Sequence, residues 1–140
     1  MTIFLPRILR LTLGLVLFPH GAQKLLGWFG GNGFAGTMDF FTGVLGIPAF
    51  FALLAIITEF FGSLALITGT LTRFWALGMT ILMIVAAWMN HLQHGFFMNW
   101  MGQQSGEGFE YLLLVIGISL ALFLLGGGKW SADRFLSSKA

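Results

Sequence analysis

The sequence predicts an all-α integral membrane protein, a four-helix bundle with almost no soluble part. Of its 140 residues, 57% are hydrophobic and only 9% are charged, whereas soluble domains carry about 25% charged residues. A soluble domain of this size has too much surface for its volume to hide so many apolar side chains. A lipid bilayer removes that difficulty, and the length suits one transmembrane domain over residues 1–140.

Four stretches are apolar enough to cross a bilayer as helices, which takes about 20 residues each. They cover about residues 4–28, 48–69, 74–92 and 108–125. Pro48 suits the first turn of the second helix, because the missing N–H costs nothing there. The basic start of the chain also fits a secretory signal loosely, but further apolar spans follow it instead of a soluble domain.

The basic residues predict the orientation of the chain, because Lys and Arg concentrate on the cytoplasmic side of membrane proteins. With four spans, only Lys24 lies near the outer side. The residues on the other side are Arg7, Arg10, Arg73, Lys129, Arg134 and Lys139. Both termini are therefore predicted to face the cytoplasm.

Charge and cysteine content exclude several classes of function. The formal net charge is +2, and the basic residues form no patch interleaved with aromatics, so nucleic acid is not an expected partner. Cysteine is absent, which excludes a disulfide framework, a thiolate metal site and a CxxC redox motif. Any redox chemistry would therefore need a bound cofactor or a partner protein.

Ionisable residues inside the predicted spans are the main functional signal, because they are costly in lipid and usually face the interior of the helix bundle. His20 and Lys24 lie four residues apart on one face of the first span, and Glu59 falls near the middle of the second. Further polar residues lie where the third span ends and the fourth begins: Asn90, His91, His94, Glu107 and Glu110. Given the predicted orientation, we expect a polar pocket that opens to the outer side.

Small residues indicate which helix faces meet, because they let helices approach closely. We expect inward-facing stripes at Ala52, Ala55, Glu59, Gly62 and Gly69 on the second span, and at Glu110, Gly117 and Ala121 on the fourth. On the third span the matching stripe is Thr80, Met83, Ala87, His91 and His94. Structural alternatives remain open for two of the charges. Glu107 suits the positive end of a helix dipole, and Lys24 suits a side chain that snorkels to the headgroups.

Four segments carry a resemblance to a known family. They are HGAQKLLGWFGG from His20 to Gly31, ITEFFGSLALITGTLTR from Ile57 to Arg73, GEGFEYLLL from Gly106 to Leu114, and GGGKWSADR from Gly126 to Arg134. In this order they resemble the DoxX family of small bacterial membrane proteins. The resemblance implies a four-helix bundle in the bacterial inner (cytoplasmic) membrane. It also implies a link to redox chemistry, since some relatives are described as subunits of quinone-linked oxidoreductases and others as membrane partners of oxidative-stress enzymes.

The resemblance also implies which polar positions matter. The positions that match the family are His20, Gln23, Lys24, Glu59, His91, Glu107, Glu110 and Tyr111. The predicted cofactor-binding residues are His20, Gln23, Lys24, Glu59, His91, His94, Glu110 and Tyr111. Many relatives have a His at the position of Leu112, so a cofactor site that uses that His would be incomplete here.

Three functions fit these features. The first is a redox-linked subunit that binds a quinone, with His and Glu side chains bonding its carbonyls and handling protons. Haem or metal ranks below quinone: His91 and His94 have chelating spacing, but thiolates are missing. The second is a non-catalytic scaffold or anchor for partner proteins. The third is a small carrier or proton pathway through Glu59, which would need a homo-oligomer because four helices make a thin wall.

We favour the first function, in which the chain is a subunit of an oxidoreductase system rather than an enzyme acting alone. The expected partners are the lipid bilayer and either oxidoreductase subunits or soluble redox enzymes. No catalytic residue and no metal ligand is assigned.

Overall fold

The computed structural model describes residues 4–138, and this part of the chain is all-α, 76% helical and without strands. The predicted all-α class is thereby confirmed. The six α-helices are α1 Leu5–Leu26, α2 Gly33–Asp39, α3 Ala49–Thr68, α4 Thr72–Ala86, α5 Glu110–Leu125 and α6 Ala132–Ser137.

Two of the helices continue through irregular turns. A π-helical turn, Phe40–Val44, follows α2. A second π-helical turn, Ala87–His91, and a 3-10 turn, Leu92–His94, extend α4. In the described chain, two helices are long and apolar enough to cross a membrane: Ala49–Thr68, with a mean hydropathy of 2.2, and Thr72–His94, with 1.5. Helix α5 is a shorter apolar helix.

Proline and glycine set the ends of these helices. Pro6 lies in the first turn of α1 and Pro48 caps α3, positions that need no donated N–H. Helices α1 and α3 end at Gly27 and Gly69, whose φ angles of 72° and 74° are left-handed. Glycine adopts this conformation without a steric penalty. Local sequence therefore explains where the long helices begin and end.

The four longer helices pack side by side around one apolar core. Helix α1 packs mainly on α3 and α4 mainly on α5, while α3 contacts α4 and α5 returns to α1 through a smaller contact. The side chains that face away from this core are apolar as well, as Leu15, Phe51, Ile81 and Leu114 illustrate. An apolar surface of this extent needs a covering other than water.

Two glycines let α1 approach α3 closely. A Cβ atom on Gly21 would lie 2.6 Å from the Cα atom of Phe60, and one on Gly14 would lie 2.8 Å from the carbonyl oxygen of Ser63. Both distances are too short for any other residue without movement of the α3 backbone. The backbone contact at Gly21 lies next to Glu59, so it sets the position of that carboxylate relative to α1.

The predicted inward stripes are confirmed in part on two helices and wrong on a third. Ala52, Glu59, Gly62 and Gly69 are buried around α3, and Thr80 and Met83 are buried on α4. The other members of these two stripes are only half-buried: Ala55, Ala87, His91 and His94. On α5, however, Gly117 is exposed and the buried residues are Leu112, Val115, Ser119 and Leu122. Bulky aliphatic side chains of α5 therefore fill the core beside α4, so the buried side of α5 is not the side that carries its small residues.

Arg10 is buried within helix α1, whereas the sequence analysis treated it only as one of the basic residues that set the orientation of the chain. Its side chain is only 1% exposed, and its guanidinium donates four hydrogen bonds to backbone carbonyls. Nη1 donates to Leu66 and Ile67 at 3.0 Å each. Nε donates to Gly127 at 3.0 Å and Nη2 donates to Trp130 at 2.8 Å. Arg10 therefore ties the end of α3 and the segment after α5 to α1.

Asp133 of α6 completes the same arrangement. Its two carboxylate oxygens accept hydrogen bonds from the backbone N–H groups of Leu71 and Thr72, at 2.6 and 2.9 Å. Its own N–H donates to the carbonyl of Gly69 at 3.0 Å, and its charge acts favourably on Arg10. We call Arg10, Asp133 and the backbone segments 66–72 and 127–131 the Arg10 junction.

Replacing Arg10 by Met should lower the free energy of unfolding by about 3–5 kcal/mol, because Asp133 then lacks its opposing charge and buried carbonyls lose their donors. Arg7 is the matched control, since its exposed guanidinium only contacts the Trp130 ring, 5.6 Å from the centroid. Arg7→Met should cost about 1 kcal/mol or less. Denaturant unfolding in detergent micelles measures both, and equal losses would contradict a structural role for Arg10.

Gly21→Ala should destabilise the fold by about 1–3 kcal/mol, because the added methyl group forces α1 away from the α3 backbone. Gly117→Ala is the matched control, since nothing lies within 4 Å of a Cβ atom built there. That substitution should be neutral or stabilise by up to about 1 kcal/mol through helix propensity. Thermal unfolding of both variants tests the close contact, and a neutral Gly21→Ala would disprove it.

Candidate functional site

Seven of the eight predicted cofactor-binding residues, all except Gln23, fall into two groups by their contacts, and Glu107 joins the second group. His20 and Lys24 of α1, Glu59 of α3 and Tyr111 of α5 form the first group, which we call the α1–α3–α5 site. The second group, which we call the loop group, surrounds the segment between α4 and α5. It consists of His91, His94, Glu107 and Glu110.

An ion pair between α1 and α3 is the centre of the α1–α3–α5 site. The Nζ atom of Lys24 lies 2.7 Å from Oε2 of Glu59, and the two side chains are 29% and 8% exposed. The Gly21 contact brings α1 close to α3 one turn before Lys24, which explains why the pair can form. Lys24 therefore directs its ammonium group at a buried carboxylate, as expected of a charge that must find a partner in an apolar environment.

Tyr111 brings an unpartnered hydroxyl group to this site. Its oxygen is buried and has no hydrogen-bond partner among residues 4–138, and the phenol interacts electrostatically with Glu59. The exposed ring of His20 lies 6.0 Å from the Tyr111 ring, centroid to centroid, at an angle of 42°. A buried hydroxyl without a partner costs about 1–3 kcal/mol. A ligand that bonds to it would remove that cost.

The two carboxylates of the loop group hold the backbone of the segment between α4 and α5. Oε1 of Glu110 accepts hydrogen bonds from the N–H of Met98 at 3.0 Å and from the indole N–H of Trp100 at 2.8 Å. Oε2 of Glu107 accepts one from the N–H of Asn99 at 2.6 Å. Both acids are therefore used in shaping a loop.

The histidines of the loop group bind the same segment. Nδ1 of His91 donates to the carbonyl oxygen of Glu107 at 2.9 Å, and Nδ1 of His94 lies 3.1 Å from the hydroxyl of Ser105. They share no partner, and residues 4–138 contain no group of three or more His, Asp or Glu side chains arranged to hold a metal ion. The loop group therefore offers hydrogen bonds that stabilise the loop.

Two further positions from the sequence analysis, Gln23 and Leu112, have structural roles. Gln23 donates a hydrogen bond from Nε2 to the carbonyl of Phe29 at 3.3 Å, which ties the turn after α1 back to that helix. Leu112, where many relatives have a His, is only 4% exposed and belongs to the apolar core. Within residues 4–138, neither side chain forms a hydrogen bond with the members of the α1–α3–α5 site.

Sequence reasoning missed the Arg10 junction. The available signals were an arginine within the apolar stretch of α1 and the polar segment GGGKWSADR, which supplies Gly127, Trp130 and Asp133. Neither signal shows by itself that the two segments meet, because Arg10 and Gly127 are 117 residues apart in the sequence.

Helical structure, an apolar outer surface and two helices long enough to cross a bilayer are characteristic of membrane proteins. The family model DoxX matches residues 5–92, which include α1 to α4 and both members of the Lys24–Glu59 ion pair. The chain therefore belongs to the DoxX family, as its resemblance indicated. A search of curated proteins and a search of solved structures gave no significant match.

Removing one partner of the Lys24–Glu59 pair should destabilise the protein more than removing both charges together. Lys24→Met leaves a buried carboxylate unpaired, which costs about 3 kcal/mol when such a group has no compensating charge. Adding Glu59→Gln should restore part of that loss, and a double-mutant cycle of unfolding free energies measures the coupling. Strictly additive losses would show that the pair contributes nothing.

Proposed function

We propose that this DoxX family protein is a redox-linked subunit of the bacterial inner membrane that binds a quinone at the α1–α3–α5 site. We further propose that α1, α3, α4 with its extension, and α5 each cross the bilayer as a four-helix bundle, with both termini in the cytoplasm. The observation that carries the proposal is the buried hydroxyl of Tyr111, which has no partner in the described chain. The ring of Tyr111 lies 6.0 Å from the ring of His20, one helical turn before Lys24 on α1.

The distribution of charge supports this topology. Arg7 near the start of α1, Arg73 at the start of α4, and Lys129 and Arg134 after α5 all lie at the end of the helices where α3 turns into α4. Lys24 lies toward the other end, roughly 20 Å from Arg10 along α1. A one-sided excess of Lys and Arg marks the cytoplasmic side, so the α1–α3–α5 site belongs to the outer half of the membrane.

The residues of the site fit a quinone. A quinone is a flat apolar ring whose two carbonyl oxygens accept hydrogen bonds, and the site offers donors at the Tyr111 hydroxyl and the Lys24 ammonium group. The rings of His20 and Tyr111 provide aromatic surface beside them. When bound, the quinone would supply two-electron chemistry coupled to protons. His20, whose ring is exposed and has no ion-pair partner among the described residues, is a side chain able to hold such a proton.

The scaffold or anchor for partner proteins is the second candidate, and one observation favours it. The loop that Glu107 and Glu110 hold in shape presents Trp100 and Met101, which are 80% and 82% exposed. A rigid loop with two exposed apolar side chains suits contact with another protein. A carrier or proton pathway through Glu59 has less support, because Lys24 already neutralises that carboxylate.

Quinone binding can be tested by titrating the purified protein with ubiquinone-1 or menadione. Quenching of the tryptophan fluorescence then gives the dissociation constant. Tyr111→Phe removes only the hydroxyl and should weaken binding about five- to tenfold, the value of one hydrogen bond. Ser119→Ala is the matched control, because Ser119 is another buried hydroxyl of α5 without a partner in the described residues. Ser119 lies about two helical turns from Tyr111, so its substitution should leave the affinity for the quinone unchanged.

Absence of binding, or equal weakening by Tyr111→Phe and Ser119→Ala, would overturn the quinone proposal. Native mass spectrometry of protein purified gently from its own membrane complements this test. A bound species with the mass of a quinone is the expected result. Protein that carries only phospholipid would move the scaffold to first place. Met101→Ala should then release a partner without affecting the fold, because the Met101 side chain is 82% exposed.

A further inference from the structure

An open cavity with polar and apolar lining lies beside the Arg10 junction, at the opposite end of the helices from the α1–α3–α5 site. Its volume is about 520 Å³, and basic side chains from three different segments line it. Arg73 comes from α4, Lys129 from the turn after α5, and Arg134 from α6. The cavity is independent of the quinone proposal, because none of its lining residues belongs to the α1–α3–α5 site.

The positive charge of this cavity is not balanced within the described chain. Arg73 donates one hydrogen bond, from Nη2 to the carbonyl of Leu124 at 3.2 Å. The side chains of Lys129 and Arg134 have no hydrogen bond or ion pair with residues 4–138. Asp133 also lines the cavity, but its two oxygens accept the N–H groups of Leu71 and Thr72. Three cations therefore surround a space whose single acid is already engaged.

The surface around the cavity is apolar. Leu125 is 48% exposed, Trp130 64% and Leu136 61%. Exposed aliphatic and indole side chains next to lysine and arginine are typical of the membrane interface, where the apolar groups reach the acyl chains and the cations reach the phosphates. Leu125 lines the cavity together with Arg73 and Arg134, so an apolar side chain lies beside the cations.

We infer that this cavity binds the phosphate group of an anionic phospholipid. Guanidinium and ammonium groups from α4, α6 and the turn between α5 and α6 would share the phosphate oxygens through charge-assisted hydrogen bonds. The neighbouring apolar side chains would contact the lipid tails, which free phosphate does not possess. Because the lipid bridges three segments, it stabilises the end of the bundle that the Arg10 junction organises.

The test is the thermal unfolding of the full chain in neutral detergent micelles during titration with dioleoylphosphatidylglycerol. A ligand that binds only the folded state raises the unfolding temperature with its concentration. The double variant Lys129→Gln/Arg134→Gln should need about 30-fold more lipid for the same shift, since each cation near an anionic headgroup contributes about fivefold. Arg7→Gln is the matched control: it removes a charge from the same end, but Arg7 does not line the cavity.

The expected result is that the double variant loses the lipid effect and that Arg7→Gln keeps it. Equal stabilisation by dioleoylphosphatidylcholine, or an equal loss in Arg7→Gln, would overturn the inference in favour of general surface binding. Sodium phosphate that stabilises as well as the lipid would show that the cavity takes free phosphate. If the double variant does not fold, Lys129→Gln alone decides the question, with an expected loss of about fivefold.

Discussion

A guanidinium group can be buried in an apolar helical assembly only if its N–H groups find acceptors, and the rest of this structure depends on how Arg10 meets that condition. Its acceptors are backbone carbonyls at the end of α3 and after α5, so it fixes both segments against α1. With one end of the α1–α3 pair fixed, Gly21 meets the backbone of Phe60. Lys24 then reaches Glu59 one turn further on.

The polar side chains at the two ends of the helices therefore differ in how completely they are hydrogen-bonded. At the Arg10 junction, both charged groups are hydrogen-bonded. The guanidinium group donates four hydrogen bonds, and the carboxylate of Asp133 accepts two. At the α1–α3–α5 site, Lys24 is partly exposed and the Tyr111 hydroxyl lacks a partner in the described chain. An engaged arrangement stabilises the fold. The hydroxyls of Thr72 in the junction and of Ser119 on α5 also lack a partner among the described residues. Of these three hydroxyls, that of Tyr111 alone shares its site with an ion pair and an exposed imidazole ring, which is the physical basis for placing the ligand there.

Sequence patterns predicted the parts of the fold that local chemistry controls. The glycines at positions 27 and 69 end helices where a left-handed residue is needed. Helical spacing correctly put Glu59 on the buried side of α3. The use of Glu110 by the loop residues Met98 and Trp100 could not be predicted, because it depends on how an irregular segment folds back. The burial of Arg10 was hidden for a related reason, since an arginine near a span end usually faces the headgroups.

The most direct test of the central claim is photolabelling with an azidoquinone, with the labelled peptides identified by mass spectrometry. The account predicts labels on α1 near His20 and on α5 near Tyr111, and their loss when unlabelled ubiquinone-1 competes. Labels confined to the apolar groove between α3 and α4, which Leu54 and Trp75 line, would contradict it. Labels that competition does not remove would contradict it as well.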